Sequence, residues 1–127
     1  MTMEPSDQPP LARTCLAFAL GIVFMATGAS KLIDHAGAVA DFTRWGLPDP
    51  AALTIAVGIF ELGAAALLMA NVATRRVALA LALEMAVAFA VAGRADGGVQ
   101  LIVPAAVAAL CLMLAWASRA DERVPAR

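Results

Sequence analysis

The sequence predicts an all-α integral membrane protein: an antiparallel four-helix bundle with a short interfacial helix between helices 1 and 2. Of its 127 residues, 62% are hydrophobic, against roughly 45 to 50% in soluble domains. Four apolar segments are each long enough, at about 20 residues, to cross a bilayer. The second, residues 51–70, carries one carboxylate, Glu61, near its midpoint. Because an ionised acid at the membrane midplane costs on the order of 2.5 kcal/mol or more, the other helices must be arranged to receive this side chain.

The chain begins with a polar tail, which is followed by the first span. Residues 1–10 are polar and proline-rich, so we predict a disordered tail. Residues 11–33 form the first apolar run, and small residues at 26–30 are suitable for signal-peptide cleavage. The run is longer than a typical signal-peptide core, and its leader contains acids as well as one Arg. We therefore predict a retained helix.

One face of this first helix is suited to close helix packing. Small residues recur on it at intervals of three and four, which lets another backbone approach closely. The same face continues into Lys31, which is therefore directed at the bundle. Its members are Ala17, Gly21, Phe24, Gly28 and Lys31.

A polar connection follows. Residues 36–45 are predicted to form the interfacial helix, with Phe42 and Trp45 at head-group level. Asp49 and Pro50 have the residue types expected at the N-cap and the first position of the second span.

A second carboxylate, Glu84, lies in the third span, predicted over residues 77–93. The short turn at residues 71–76 makes the second and third spans an antiparallel hairpin. Counted from the tip of this hairpin, Glu61 and Glu84 differ in depth by only about 3 Å, so the two acids can share a proton. An i, i+4 row of residues predicts that Glu84 lies on the close-packing face of its helix. The row comprises Ala80, Glu84, Ala88 and Ala92.

The fourth span is predicted over residues 99–118, with Pro104 near its start, where proline is tolerated. A charged cytoplasmic tail, residues 119–127, follows it. The whole transmembrane domain is thus predicted over residues 11–118.

Few residues carry the usual signatures of metal or redox chemistry. Cys15 and Cys111 stand alone in apolar runs, which argues against a thiolate metal site or a disulfide motif and indicates small core hydrophobes. His35 has no second ligand nearby in the sequence and is predicted at the surface. A cofactor-binding motif and a haem ligand pair are likewise missing from the sequence. We therefore expect no covalently bound cofactor and no metal, assign no catalytic residue, and leave enzymatic activity open.

The charged residues define the partners and the orientation. A net charge of -1 without any basic cluster excludes a nucleic-acid-binding surface. Lys and Arg are twice as frequent on the side that holds both termini as on the other side, so both termini are predicted to be cytoplasmic. The first group is Arg13, Arg75, Arg76, Arg119, Arg123 and Arg127, and the second is Lys31, Arg44 and Arg94.

Four short motifs follow one another in a distinctive order. They are Gly28-Ala-Ser-Lys31-Leu32, Gly46-Leu47-Pro48, Gly58-Ile-Phe-Glu61-Leu62-Gly63 and Thr74-Arg75. In order and spacing they resemble the DoxX family over roughly residues 12 to 115.

This resemblance implies a four-helix protein of the bacterial cytoplasmic membrane. Some members of the family are linked to thiosulfate:quinone oxidoreductase and others to oxidative-stress complexes. The Lys and Glu of the family pattern correspond to Lys31 and Glu61, whereas Glu84 has no assured counterpart. The resemblance thus favours an accessory or anchor subunit of a redox or oxidative-stress system.

Lys31 and Glu61 lean toward each other along the membrane normal, because side chains lean toward the N-terminus of their helix and the two helices run in opposite directions. The pair is either a structural contact that fixes helix order or part of a polar pocket for a quinone head group or another small ligand. Proton-coupled transport is a third alternative, since intramembrane acids often mark proton paths. Glu84 is the remaining candidate for this polar network. The sequence leaves open a homo-oligomer and a redox-enzyme partner.

The predicted orientation can be tested with reporter fusions. A reporter fused after Arg76 should be cytoplasmic, and one fused after Asp96 should be outside. The reverse pattern would contradict the orientation, and two cytoplasmic reporters would contradict the number of spans.

Overall fold

The computed structural model describes residues 11–120, which form five helices. Four of them are long and apolar enough to cross a membrane, and the short second helix separates the first two spans. The predicted all-α bundle with four spans is therefore confirmed. The helices are α1 (Leu11–Ile33), α2 (His35–Arg44), α3 (Pro50–Met69), α4 (Thr74–Asp96) and α5 (Val99–Ala117).

Among helices α2 to α5, only α2 begins with a side-chain capping hydrogen bond. Helix α4 extends three residues beyond the predicted third span at each end, because polar side chains can continue a helix outside the apolar zone. Pro50 is at the start of α3 as predicted, but the Asp49 side chain makes no capping hydrogen bond and its backbone is left-handed, with φ 44°. Helix α2 starts where the Asp34 carboxylate accepts a hydrogen bond from the Gly37 amide, at 3.2 Å. The predicted N-terminal tail, residues 1–10, and residues 121–127 of the predicted C-terminal tail, 119–127, lie outside the described residues.

The bundle consists of two tightly packed helix pairs, α1 with α3 and α4 with α5, while the contacts between the pairs are smaller. In the first pair the backbones approach closely at two glycines. A Cβ atom at Gly28 would lie 2.8 Å from the carbonyl oxygen of Gly58, and one at Gly58 would lie 3.1 Å from the carbonyl oxygen of Gly28. The glycine-bearing face predicted for α1 is therefore the face that packs on α3.

The apolar core fills only one half of the bundle. Its residues come from the first half of α1 and α4 and from the second half of α3 and α5, so they gather at the end where α3 turns into α4. The half nearer α2 contains a cavity instead. The core comprises Ala17, Leu20, Phe24, Ala64, Ala65, Leu68, Val77, Ala78, Leu81, Ala82, Cys111, Leu114 and Ala115.

Two predictions about packing are wrong in part. In the predicted row of α4, Ala80 is exposed, Glu84 and Ala88 are half-buried and Ala92 is buried. The row therefore follows the packed side of α4 only in its later turns, whereas the first turns pack through Val77 and Leu81. Of the two cysteines, Cys111 is buried as predicted, but Cys15 is exposed because it lies on the outer face of α1.

We predict that Gly28→Ala destabilises the bundle, because the added Cβ meets a backbone oxygen that cannot rotate away. Overpacking of this kind costs about 1 to 3 kcal/mol. Thermal denaturation in detergent measures the effect. The matched control is Gly63→Ala in α3, where an added Cβ meets no atom within 4 Å. Equal melting temperatures for the two variants would contradict the close approach.

Candidate ligand-binding site

The Glu61 carboxylate is buried in the bundle and bound on both of its oxygens. Only 1% of the residue is exposed. Lys31 Nζ of α1 lies 2.8 Å from Oε2, and the Thr27 hydroxyl donates to Oε1 at 3.2 Å. Lys31 Nζ also donates to the backbone carbonyl oxygen of Thr27 at 3.4 Å. Lys31 and Glu61 therefore meet directly, without an intervening water.

The close contact of Gly28 with Gly58 makes this ion pair geometrically accessible. Each glycine lies three residues before the charged residue of its own helix, about one turn away. Since the two backbones touch there, the long side chains of Lys31 and Glu61 need to close only a short remaining gap. Oppositely directed side-chain lean on antiparallel helices supplies the rest of the approach.

Glu84 of α4 completes a group of three ionisable side chains. Its carboxyl group is close enough to that of Glu61 for the two to interact. Both of its oxygens are buried, and neither has a hydrogen-bond partner of good geometry among residues 11–120. The structure thus brings together the three residues of the predicted network, but only two of them bind each other directly.

A cavity of about 350 Å³ adjoins these side chains. This volume is within the range of small-molecule sites, roughly 300 to 1,000 Å³. The cavity lies between the two helix pairs, and every helix contributes to it. Apart from the polar group, most of its wall is apolar. The apolar lining includes Val23, Phe24, Phe42, Leu47, Leu53, Val57, Met85, Val87, Ala88, Val91, Val103, Pro104 and Val107.

Helix α2 and the loop after it cover the end of the cavity that faces the membrane surface. Phe42 of this helix is buried and lines the cavity, with its ring centroid 5.6 Å from that of Trp45. Arg44 forms two hydrogen bonds to the carboxylate of Asp96 at the end of α4, at 3.0 and 2.9 Å. The Trp45 indole donates to the same carboxylate at 2.9 Å. Helix α2 and the loop after it thus form a cover over this end of the cavity. The contacts with Asp96 attach this cover to the pair of α4 and α5.

The carboxylates around the Arg44 guanidinium favour its charged form. Hydrogen bonds to Asp96 and then to Asp41 raise the pKa of Arg44 above its ordinary value. Because the guanidinium is solvent-exposed, this ion pair orients the cover more than it stabilises the fold.

The cavity also reaches the lipid-facing surface. Val23 of α1, Val87 of α4 and Val103 of α5 line it and are at the same time 41, 49 and 50% exposed. The cavity wall therefore meets the outer surface of the helices at these three valines.

Sequence reasoning missed three polar residues around the site. Thr27 lies four residues before Lys31, a helical spacing that could have placed it on the same face. Asp96 is far from Arg44 in the chain, and no sequence signal links them. Thr54 is buried and lies 3.2 Å from Nδ1 of His35. His35, predicted at the surface, is half-buried and lies beside α3.

The sequence was compared with family models, with curated proteins and with solved structures. The family model described as DoxX matches residues 13–94, which is well over half of the chain. The match contains Lys31, Glu61 and Glu84 and ends near the end of α4. Neither a curated protein nor a solved structure matches the chain.

We predict that Lys31 and Glu61 are energetically coupled. Breaking a buried ion pair on one side leaves an unmatched charge, which costs up to about 3 to 5 kcal/mol, whereas replacing both partners with apolar residues can be nearly neutral. Lys31→Met and Glu61→Leu should each lower the melting temperature in detergent, and the double variant should recover most of the loss.

The control for this double-mutant cycle is Ile59→Leu, because Ile59 is 58% exposed on the same helix as Glu61. It should leave the melting temperature unchanged. Strictly additive losses for Lys31→Met and Glu61→Leu would show that the two side chains do not interact.

Proposed function

This chain belongs to the DoxX family, and we propose that it binds a lipid-soluble molecule with a polar head group in its intramembrane cavity. A quinone is the class of ligand that the family resemblance favours. The observation that carries the proposal is the cavity itself, which is apolar along most of its wall and ends at the Lys31–Glu61 pair.

The chemistry of the wall supports an amphipathic ligand. Ligand sites are usually apolar with a few polar groups that orient the ligand. Here the polar groups are concentrated deep in the cavity. Glu84 lies twelve residues from Asp96 at the end of α4, which corresponds to a depth of about 18 Å along the helix. A ligand would therefore bind with its head group near the membrane midplane and its tail among valines.

The cover on one side of the cavity and the exposed valines on another both support entry of a ligand from the bilayer. The cover formed by α2 and its fastening to Asp96 separate the cavity from the aqueous surface on that side. The exposed valines of the cavity wall present only hydrocarbon. A molecule dissolved in the bilayer passes between such side chains without losing its solvation. A water-soluble ion would lose its hydration there, which is costly.

An accessory or anchor role for a redox or oxidative-stress enzyme stays a prediction. Ligand binding and such a role are compatible, since a small subunit can hold a lipid-soluble molecule near a catalytic partner. Proton-coupled transport also stays a prediction, and so do the cytoplasmic-membrane location and the cytoplasmic termini.

Ligand binding can be measured through Trp45, which lines the cavity. The chain has only two Trp residues, so the Trp116→Phe background leaves Trp45 as the one reporter. Decylubiquinone and ω-brominated decanol both quench Trp fluorescence at short range. At least one of them should quench with saturation in nanodiscs, because a filled site saturates whereas probe dissolved in lipid does not.

Filling the cavity should abolish this saturable quenching. Ala88 lines the cavity, so Ala88→Phe places a ring where the ligand would lie. The matched control is Ala86→Phe, because Ala86 is exposed on the outer face of the same helix. Linear quenching by both probes in the parent protein, or equal quenching in the two variants, would contradict the proposal.

A further inference from the structure

The hydrogen-bond donors at the polar end of the cavity are largely committed. The Thr27 hydroxyl has one proton, and it is directed at Glu61 Oε1 and at the Phe24 carbonyl oxygen, at 3.2 and 3.3 Å. The Lys31 ammonium has three N–H groups. Two of them are used, for Glu61 Oε2 and for the Thr27 carbonyl oxygen. At most one donor therefore remains for a ligand.

The acceptors are in surplus. Both oxygens of Glu61 receive hydrogen bonds, but both oxygens of Glu84 are buried without one within residues 11–120. An ionised Glu84 has two oxygens that need donors. A protonated Glu84 can give its proton to neighbouring Glu61, and its carbonyl oxygen still accepts. In either protonation state at least one oxygen of Glu84 is left to accept a hydrogen bond from a ligand.

A buried acceptor without a partner is costly, so a molecule that supplies the missing donor gains binding free energy there. Glu84 belongs both to the polar group and to the cavity wall. No hydrogen bond within residues 11–120 holds the Glu84 carboxyl group, so it is free to bind a head group that enters the cavity. Lys31 and Thr27 already bind Glu61 and have less freedom to do so.

We propose that Glu84 selects ligands whose head group carries a hydrogen-bond donor, a hydroxyl or a protonated amine, over analogues that only accept. This inference rests on the proposed binding function and deepens it, because it names the chemistry of the head group. For a molecule with a reduced and an oxidised form, the hydroxyl-bearing reduced form would bind more tightly than the form with carbonyl groups.

The test compares probes that differ in the donor alone. ω-Brominated decanol donates through its hydroxyl, its methyl ether only accepts, and the corresponding decylammonium separates a charged donor from a neutral one. Binding is followed by quenching of Trp45 in nanodiscs, in the Trp116→Phe background. Each probe is compared between parent and variant, so that its partitioning into lipid cancels.

In Glu84→Leu the affinity for the alcohol should fall about tenfold, the equivalent of one hydrogen bond, while the affinity for the ether should change less than about twofold. Glu84→Gln keeps a carbonyl acceptor and should retain the preference for the alcohol. Melting temperatures of both variants verify that the bundle is intact. If Glu84→Leu unfolds it, Glu84→Ala, which also lacks the acceptor, takes its place.

The outcomes separate this inference from the function on which it rests. Equal preference for the alcohol in the parent and in Glu84→Leu overturns the inference while leaving ligand binding established. A Glu84→Gln variant that loses the preference for the alcohol also overturns it, because the acceptor is then not what matters. If only the ammonium probe responds to Glu84→Leu, charge and not donation is recognised, which overturns it as stated. Absence of saturable quenching by every probe in the parent overturns the proposed function itself.

Discussion

The rest of this bundle depends on two linked contacts between α1 and α3. One is the ion pair of Lys31 with Glu61, and the other is the close backbone approach of Gly28 and Gly58. Glu61 is almost fully buried, and a buried carboxylate requires a partner close enough to compensate for its lost hydration. Lys31 can be that partner only because two residues without side chains let α1 and α3 approach. The ion pair and the helix contact thus require each other.

The tight pairing of α1 with α3 explains how the remaining helices are arranged. Helix α3 uses its glycine-bearing face for α1, so less of its surface is available for α4, which packs on α5 instead. Two pairs that each pack well internally join along a smaller surface. This joint is filled with apolar side chains at one end of the bundle and remains open at the other. The cavity is therefore a consequence of the pairing and needs no strained element.

The two carboxyl groups at the polar end of the cavity differ in their hydrogen-bond partners. Lys31 compensates Glu61, but Glu84 brings a second carboxyl group into the same low-dielectric region and forms no salt bridge within residues 11–120. Such a group does not help the bundle fold, because burial without a hydrogen bond is unfavourable. Polar residues placed against stability are frequent at functional sites. This imbalance is the main reason to regard the cavity as a binding site and not as a packing defect.

Patterns confined to one helix were predicted well from the sequence. The number of spans, the short helix between the first two and the glycine-bearing face of α1 follow from hydropathy and from the 3.6-residue period, which are local properties. The lean of Lys31 and Glu61 toward each other also follows, because it is a general rule for side chains on antiparallel helices, but their contact depends on the pairing of α1 with α3. The row with Glu84 was wrong at Ala80 although its period was helical. A period shows which residues share a face but not which neighbour that face meets.

What the sequence by itself determined is the set of membrane-crossing helices and the depth of their charged residues, since burial in lipid acts on each helix separately. Only the tertiary structure decided that α1 pairs with α3 and α4 with α5, that Phe42 lines a cavity, and that Arg44 and Trp45 meet Asp96 across the bundle. The contacts of Arg44 and Trp45 with Asp96 join residues about fifty positions apart. Their geometry depends on how whole helices pack, and packing is settled by the shapes of two surfaces together and not by either segment alone.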